Sequence, residues 1–242
     1  MTTVFIPLLL GSLLAGFIQG LSGFGFAVVA MSCWAWFLEP KTAAILTLYG
    51  GLLGQTISAL KVRTGFVIKL VGPFIFGGLV GIPIGSTLLP YLDITLFKRL
   101  LGIFLLIWCP LMLFAHIIPP VQIRYKVVNL LVGLCGGIMS GFGGFAGVLP
   151  TLWCTLNSYE KETQRAIIQN FSLSILWATM IVYIYQGLIN SSHIKLFAIM
   201  TPAVLISSII GAKLFYKISP SSFRKIVLTV LMFSGLALTI GS

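Results

Sequence analysis

Apolar residues run along this chain in long blocks separated by short polar or charged breaks. The blocks predict helices near Val4–Gly20, Phe24–Leu38, Thr42–Leu60, Leu70–Leu89 and Phe97–His116. Five more follow near Val127–Met139, Phe145–Leu156, Thr163–Ile189, Ile194–Lys217 and Phe223–Ile240. A bilayer-spanning helix needs about 20 mostly apolar residues, so most of these segments are long enough to cross, while the second, sixth and seventh are short. The short segments either span or turn back inside the membrane. The expected fold is all-α: a polytopic membrane protein of about 8–10 transmembrane or half-spanning helices.

Composition agrees. Of 242 residues, 58% are hydrophobic and 8% charged, against roughly 25% charged in an ordinary soluble domain. Mean hydropathy is +1.10. The first block lacks a basic leader and a small-residue cleavage site, so it reads as a retained helix. The formal charge of +11 comes from 15 Lys+Arg against 4 Asp+Glu. In a soluble chain that excess would suggest nucleic acid; here the basic residues fall in loops, where they meet anionic lipid, and no nucleic-acid partner is expected. Cys33, Cys109, Cys135 and Cys154 lie within apolar runs without CxxC spacing, which argues against thiol shuttling and against a metal site.

The chain's two parts resemble each other. Ser22-Gly23-Phe24-Gly25 matches Ser140-Gly141-Phe142-Gly143, and each is followed by a Phe-Ala pair, Phe26-Ala27 and Phe145-Ala146. Further on, Gly85 aligns with Gly211, and Phe97-Lys98-Arg99 with Phe223-Arg224-Lys225, at one constant offset. This pattern is a duplication, with repeats over residues 1–120 and 121–242 forming one membrane domain. Each repeat holds an odd number of segments, five, so the repeats are expected to be inverted. One side of the membrane then collects Lys61, Arg63, Lys69, Arg124, Lys126, Lys161, Arg165, Lys213, Lys217, Arg224 and Lys225. The other has Lys41, Lys98, Arg99 and Lys195. The positive-inside rule makes the first side cytoplasmic and leaves both termini outside the plasma membrane.

The glycine-rich breaks carry the candidate chemistry. Non-helical backbone survives in a bilayer only where protein or water satisfies its amides, so matched breaks in two halves mark a binding site. The candidate residues are Gly20, Ser22, Gly23, Phe24 and Gly25 in the first break, and Ser140, Gly141, Phe142, Gly143 and Gly144 in the second. A helix starting at each break offers free N–H groups and the positive end of its dipole, which suits an anion. Ser22 and Ser140 add hydroxyls, and Phe24 and Phe142 stand where they could gate or simply pack. Steric bulk at Gly141 is expected to abolish transport with insertion intact. By contrast the pairs Gly16/Gly20, Gly77/Gly81/Gly85, Gly133/Gly137 and Gly137/Gly141 read as packing faces.

All four carboxylates, Glu39, Asp93, Glu160 and Glu162, fall in loops. Cation and proton carriers commonly hold a carboxylate in the pathway, so this placement favours an anion. Uncharged polar residues within helices are Gln19, Gln55, Ser58, Gln169, Asn170, Ser172 and Ser174. Of these, the adjacent amides Gln169 and Asn170 either bond to a neighbouring helix or donate to an oxyanion. His116, at a helix end, and His193, in a loop, read as interfacial, and Lys213 as a side chain reaching back to the surface. No nucleophile, metal cluster or paired carboxylate at depth suggests an enzyme, and no catalytic residue, metal or cofactor is expected. No GxxxxGK[ST] loop for ATP occurs.

At Gly16-Phe17-Ile18-Gln19-Gly20-Leu21-Ser22-Gly23-Phe24-Gly25, at Gly136-Gly137-Ile138-Met139-Ser140-Gly141-Phe142-Gly143-Gly144 and around Gly211, the sequence resembles the sulfite exporter TauE/SafE family of multi-pass transporters. The resemblance implies movement of sulfite, a sulfonate or another organosulfur or organic anion across the plasma membrane. The expected partners are that small anion and the lipid bilayer, with a homo-oligomer left open. The alternatives are a passive anion channel, a non-transporting membrane scaffold and a membrane enzyme.

Overall fold

A computed structural model describes residues 2–61, 68–115, 118–119, 121, 125–214 and 220–240. His116, Arg63, Arg124 and Lys217 lie outside the described residues. Ten α-helices follow the ten apolar blocks: α1 Thr2–Ser22, α2 Phe26–Trp34, α3 Pro40–Lys61, α4 Ile68–Leu88, α5 Ile94–Phe114, α6 Lys126–Gly143, α7 Val148–Leu156, α8 Lys161–Tyr185, α9 Ser191–Leu214 and α10 Pro220–Ile240. Among the described residues, seven helices are long and apolar enough to cross a membrane, and a shorter apolar stretch covers Val227–Ile240. The protein is an all-helical, multi-pass membrane protein. α2 and α7 have nine residues each, a rise of about 14 Å against a hydrocarbon core of about 30 Å, so neither crosses it. The sixth segment is longer than the sequence suggested: α6 runs 18 residues because Ser140-Gly141-Phe142-Gly143 stays helical.

Charge sits where helix ends favour it. Asp93 caps α5, its Oδ1 accepting the Leu96 N–H at 2.6 Å. Glu39 precedes α3, Glu160 is the N-cap of α8 and Glu162 lies in the first turn of α8. The carboxylates thus stand at the positive ends of helix dipoles, away from the middle of the protein. His193 is not in a loop but in the first turn of α9, buried, with its Nδ1 accepting the Asn190 N–H at 3.1 Å. Lys213 is exposed in the last turn of α9, beside the negative end of that helix.

α3 and α8 form the centre, with 67% and 56% of their apolar spans buried inside the protein, against 33–44% for the other five spans. Around them the helices pack in three pairs: α4 with α6, α1 with α9 and α5 with α10. Membrane helices gain no hydrophobic drive from one another, so close packing between small residues supplies the attraction. In the first pair a side chain at Gly77, Gly81 or Gly85 would strike the carbonyls of Leu130, Leu134 and Ile138. Reciprocally, Gly133, Gly137 and Gly141 lie against the carbonyls of Phe74, Gly78 and Ile82. The second pair uses the same device. Gly16 faces Val204 and Ser207, Gly20 the Ser208 carbonyl, and Gly211 the Phe17 carbonyl. The spaced glycines are packing faces, as their spacing implied.

Matching these seams residue by residue pairs Gly16 with Gly137, Gly20 with Gly141, and Gly85 with Gly211. The same register pairs Gly23 with Gly144, both at φ 77° and both donating their N–H to a carbonyl four residues back. The corresponding break therefore starts three residues later in the second half than the Ser-Gly-Phe-Gly motif suggests.

Adding one methyl at Gly137 forces the α4–α6 seam apart, because its neighbours are backbone atoms that cannot rotate aside. Overpacking of this kind costs about 1–3 kcal/mol. Gly137→Ala is expected to lower the denaturation midpoint in detergent, whereas Gly72→Ala, with open space around it, leaves the midpoint unchanged or raises it.

Candidate functional site

The chain cannot continue as a helix past Ser22 or Gly143, since Gly23 and Gly144 take the left-handed backbone that side-chain-bearing residues avoid. α1 and α6 stop there, and α2 and α7 start a few residues on, near the middle of the protein. The two breaks meet across α3 and α8. Between them lies a small pocket lined by Gln19, Phe24, Gly25, Phe26, Ala27, Gly51, Gln55, Gly144, Phe145, Gly147, Val148, Ser172 and Leu176. Gly51 and Ser172 stand near the midpoints of α3 and α8. In the register of the seams, the lining pairs up: Phe24 with Phe145, Phe26 with Gly147, Ala27 with Val148, Gly51 with Ser172 and Gln55 with Leu176.

A chain of amides organises the pocket. Gln19 Oε1 accepts the Phe26 N–H at 3.1 Å, so the first turn of α2 is capped by a side chain from α1. Gln19 Nε2 donates to Gln55 Oε1 at 2.5 Å and to the Gly23 carbonyl at 3.4 Å. Gln55 Nε2 donates onward to the Gln169 carbonyl at 3.4 Å. Both glutamines are buried. The first intrahelical bond of α2 runs from the Val29 N–H to the Gly25 carbonyl, which leaves the N–H groups of Ala27 and Val28 without an intrahelical acceptor. Elsewhere in the pocket lining, beside Gly147, Ser172 is 4% exposed and its hydroxyl has no partner among the described residues. Unpaired polar groups in a dry interior cost several kcal/mol on transfer scales, so the hydroxyl is free to bond to a solute or water that enters the pocket.

One wall of the pocket is aromatic. Phe24 meets Trp108 edge-on at 6.4 Å, Trp108 stacks on Phe104 at 6.2 Å, and Phe104 meets Phe145 edge-on at 5.8 Å. α5 thereby bridges the two breaks. The free space inside is about 20 Å³. That holds about one water molecule, so the breaks must separate before a polyatomic anion can enter.

Of the residues expected from sequence, Phe24, Gly25 and Gly144 line this pocket. Gly23 sets the turn beside it. Ser22 is exposed and bonds back to the Ile18 and Phe24 carbonyls. Ser140 is buried inside α6, bonded to Thr179 at 2.8 Å. Gly20 and Gly141 belong to the packing seams, so a bulky residue at Gly141 would part α6 from α4 and would not test a binding role alone. Phe142 stacks with Phe97 at 6.2 Å, away from the pocket, and Gly143 packs near Met31 and Phe145. Gln169 contributes its carbonyl at the pocket margin, while Asn170 bonds to the Ala166 carbonyl of its own helix at 2.9 Å. Gln19, Gln55 and Ser172 carry most of the polar lining, and their signal was visible as polar residues in apolar helices. Phe145 was visible only as part of the Phe-Ala pair after the second motif, and Gly51, Gly147 and Leu176 had no signal beyond composition.

Gln19→Leu keeps the volume and removes the cap, stranding the Phe26 N–H and the Gln55 amide. Leaving a buried group unsatisfied costs about 1–3 kcal/mol. The variant is expected to unfold more readily in detergent and to expose the α1–α2 break to limited proteolysis, with Gln19→Glu an intermediate case.

No curated protein and no solved structure matches the chain. The family model for the sulfite exporter TauE/SafE matches residues 8–238, nearly the full length. This multi-pass helical chain, with its two breaks meeting at a buried polar pocket, belongs to the sulfite exporter TauE/SafE family of membrane transporters.

Proposed function

We propose that the protein is a secondary carrier that moves a small oxyanion across the plasma membrane by alternating access, and that sulfite or a sulfonate is its substrate. The observation that carries this reading is the hydroxyl of Ser172, buried without a partner in the pocket between the two breaks. A free hydroxyl that can donate, with no carboxylate among the lining residues, suits an anion better than a cation. The tightness of the pocket favours a carrier that opens and closes over an open pore. Transport in this reading is non-enzymatic: the residues bind and release the anion and change no covalent bond.

The same reading takes residues 1–120 and 121–242 as inverted repeats. It is supported by the shared seam residues and by the equivalent pairs in the pocket lining. Rocking one helix group against the other around the breaks would expose the pocket to each side in turn. The face bearing Lys69 and Lys126 is then cytoplasmic, and both termini lie outside.

Purified protein in liposomes is expected to take up one of labelled sulfite, thiosulfate, sulfonates or carboxylates with saturable kinetics, tested with and without imposed pH and Na⁺ gradients. A charge-assisted hydrogen bond contributes about 1.5–3 kcal/mol, so Ser172→Ala should raise the KM for that anion roughly tenfold or more. Absence of flux for every anion, or an unchanged KM in the Ser172 variant, would overturn the assignment.

A further inference from the structure

The basic face of the protein holds another cavity, which shares no lining residue with the pocket between the breaks. It has a volume of about 530 Å³ and lies among the first residues of α4, the start of α6 and the turn from α7 into α8. Lys69 and Lys126, both exposed, give it positive charge, and Ser158 and Thr163 add hydroxyls. Glu160 also lines it, so two lysines against one carboxylate leave the lining net positive. Lys126 opens α6 and Glu160 is the N-cap of α8, and neither helix has a side-chain cap, so the positive ends of two helix dipoles add to the lysines.

Asn129 gives the cavity its chemistry. It is 4% exposed and yet borders the open space. Its Oδ1 accepts the Trp153 indole N–H at 3.0 Å, which fixes the amide, because an indole only donates. The Nδ2 has no partner among the described residues and is not sealed into the interior. Buried amides normally satisfy their donors, so an acceptor inside the cavity would complete this one. Two lysines and a free amide suit a phosphate oxygen.

Trp153 also lines an apolar groove of about 280 Å³ between α6 and α7. Leu131, Val132 and Cys135 form one wall, and Leu149, Leu152 and Leu156 the other. The Trp153–Asn129 bond joins groove to cavity, since one partner lines each. Cys135 lies nine residues beyond Lys126, about 14 Å along α6, or roughly half of a hydrocarbon core about 30 Å thick. The groove is therefore one leaflet deep.

We propose that cavity and groove together hold one anionic phospholipid from the leaflet on the Lys69 face. Its phosphate lies within reach of Lys69, Lys126 and the Asn129 amide, and an acyl chain runs along α6 and α7. The net positive lining selects an anionic headgroup over a zwitterionic one. An apolar helix from a second copy would fill the groove but leave the lysines and the Asn129 donors unpaired. Seated there, the lipid braces α7 against α6, and with them the hairpin that carries the second break.

Native mass spectrometry of protein from micelles with equal phosphatidylglycerol and phosphatidylcholine tests the proposal. One phosphatidylglycerol is expected to stay bound in preference to phosphatidylcholine. With a diazirine in its acyl chain, it should crosslink to peptides covering residues 131–135 or 149–156. Lys69→Gln/Lys126→Gln removes two exposed charges and should cut retention and crosslinking roughly tenfold or more. Lys41→Gln/Lys195→Gln, equally exposed at the other end of the helices, should change neither. Asn129→Asp keeps the acceptor for Trp153 but turns the donors into a carboxylate, and should abolish retention in protein that elutes as a single folded species. Equal retention of both lipids, crosslinks spread over all helices, or unaltered binding in the Lys69→Gln/Lys126→Gln variant would overturn the proposal. Displacement of the lipid by equimolar inorganic phosphate, or a dimer in place of the lipid adduct, would overturn it in favour of a free anion or a second copy. None of these readouts involves flux, so loss of the carrier assignment would leave them standing.

Discussion

The structure depends on satisfying the backbone where two helices stop inside a membrane. Lipid offers no hydrogen bonds, so each amide freed by a break must find a protein group or enclosed water. Gln19 meets this need for the first break: its one side chain caps α2, returns a bond to the turn at Gly23 and grips Gln55 on α3. The first break is thereby tied to the centre of the protein, and through Gln55 to α8. The second break is held differently, with Tyr183 reaching from α8 to the carbonyl of Gly141. The two breaks thus solve the same problem with unlike residues. The hydroxyls of Ser58, Ser172 and Ser208 have no partner among the described residues, whereas those of Ser140, Thr179 and Tyr183 are all bonded.

Packing explains where the breaks fall. Gly133, Gly137 and Gly141 lie against backbone carbonyls of α4, as Gly16 and Gly20 lie against α9. A helix engaged in such a seam cannot unwind within it, so α6 stays regular through Gly141 and turns only at Gly144. The pocket begins where the seam ends, and the same close approach that holds the helices together sets its depth.

The ten helices were legible in the sequence because lipid imposes a simple code of long apolar runs, and the breaks were legible because glycine is rarely so dense without a reason. The second break's register was not. Four matching letters at Ser140-Gly141-Phe142-Gly143 look like the first break, but they are spent on packing, and the turn belongs to Gly144-Phe145. Register was decided by which carbonyls the glycines meet, a long-range fact absent from local spacing. Gln169 and Asn170 stood out as neighbours, yet adjacent residues on a helix face different ways. Ser172, one turn along from Gln169, is the residue that faces the pocket.

The pairing of α1 with α9 and of α4 with α6 also bears on how the protein is made. Helices enter the membrane in the order of synthesis, and α1 is inserted long before α9 exists. Its glycine face must wait in lipid or against the insertion machinery while the intervening helices arrive. The cap on α2 needs only α1, and the bond to Gln55 only α3, so both can form before α9 is made. The seam that holds α1 is thus among the last of its contacts to close.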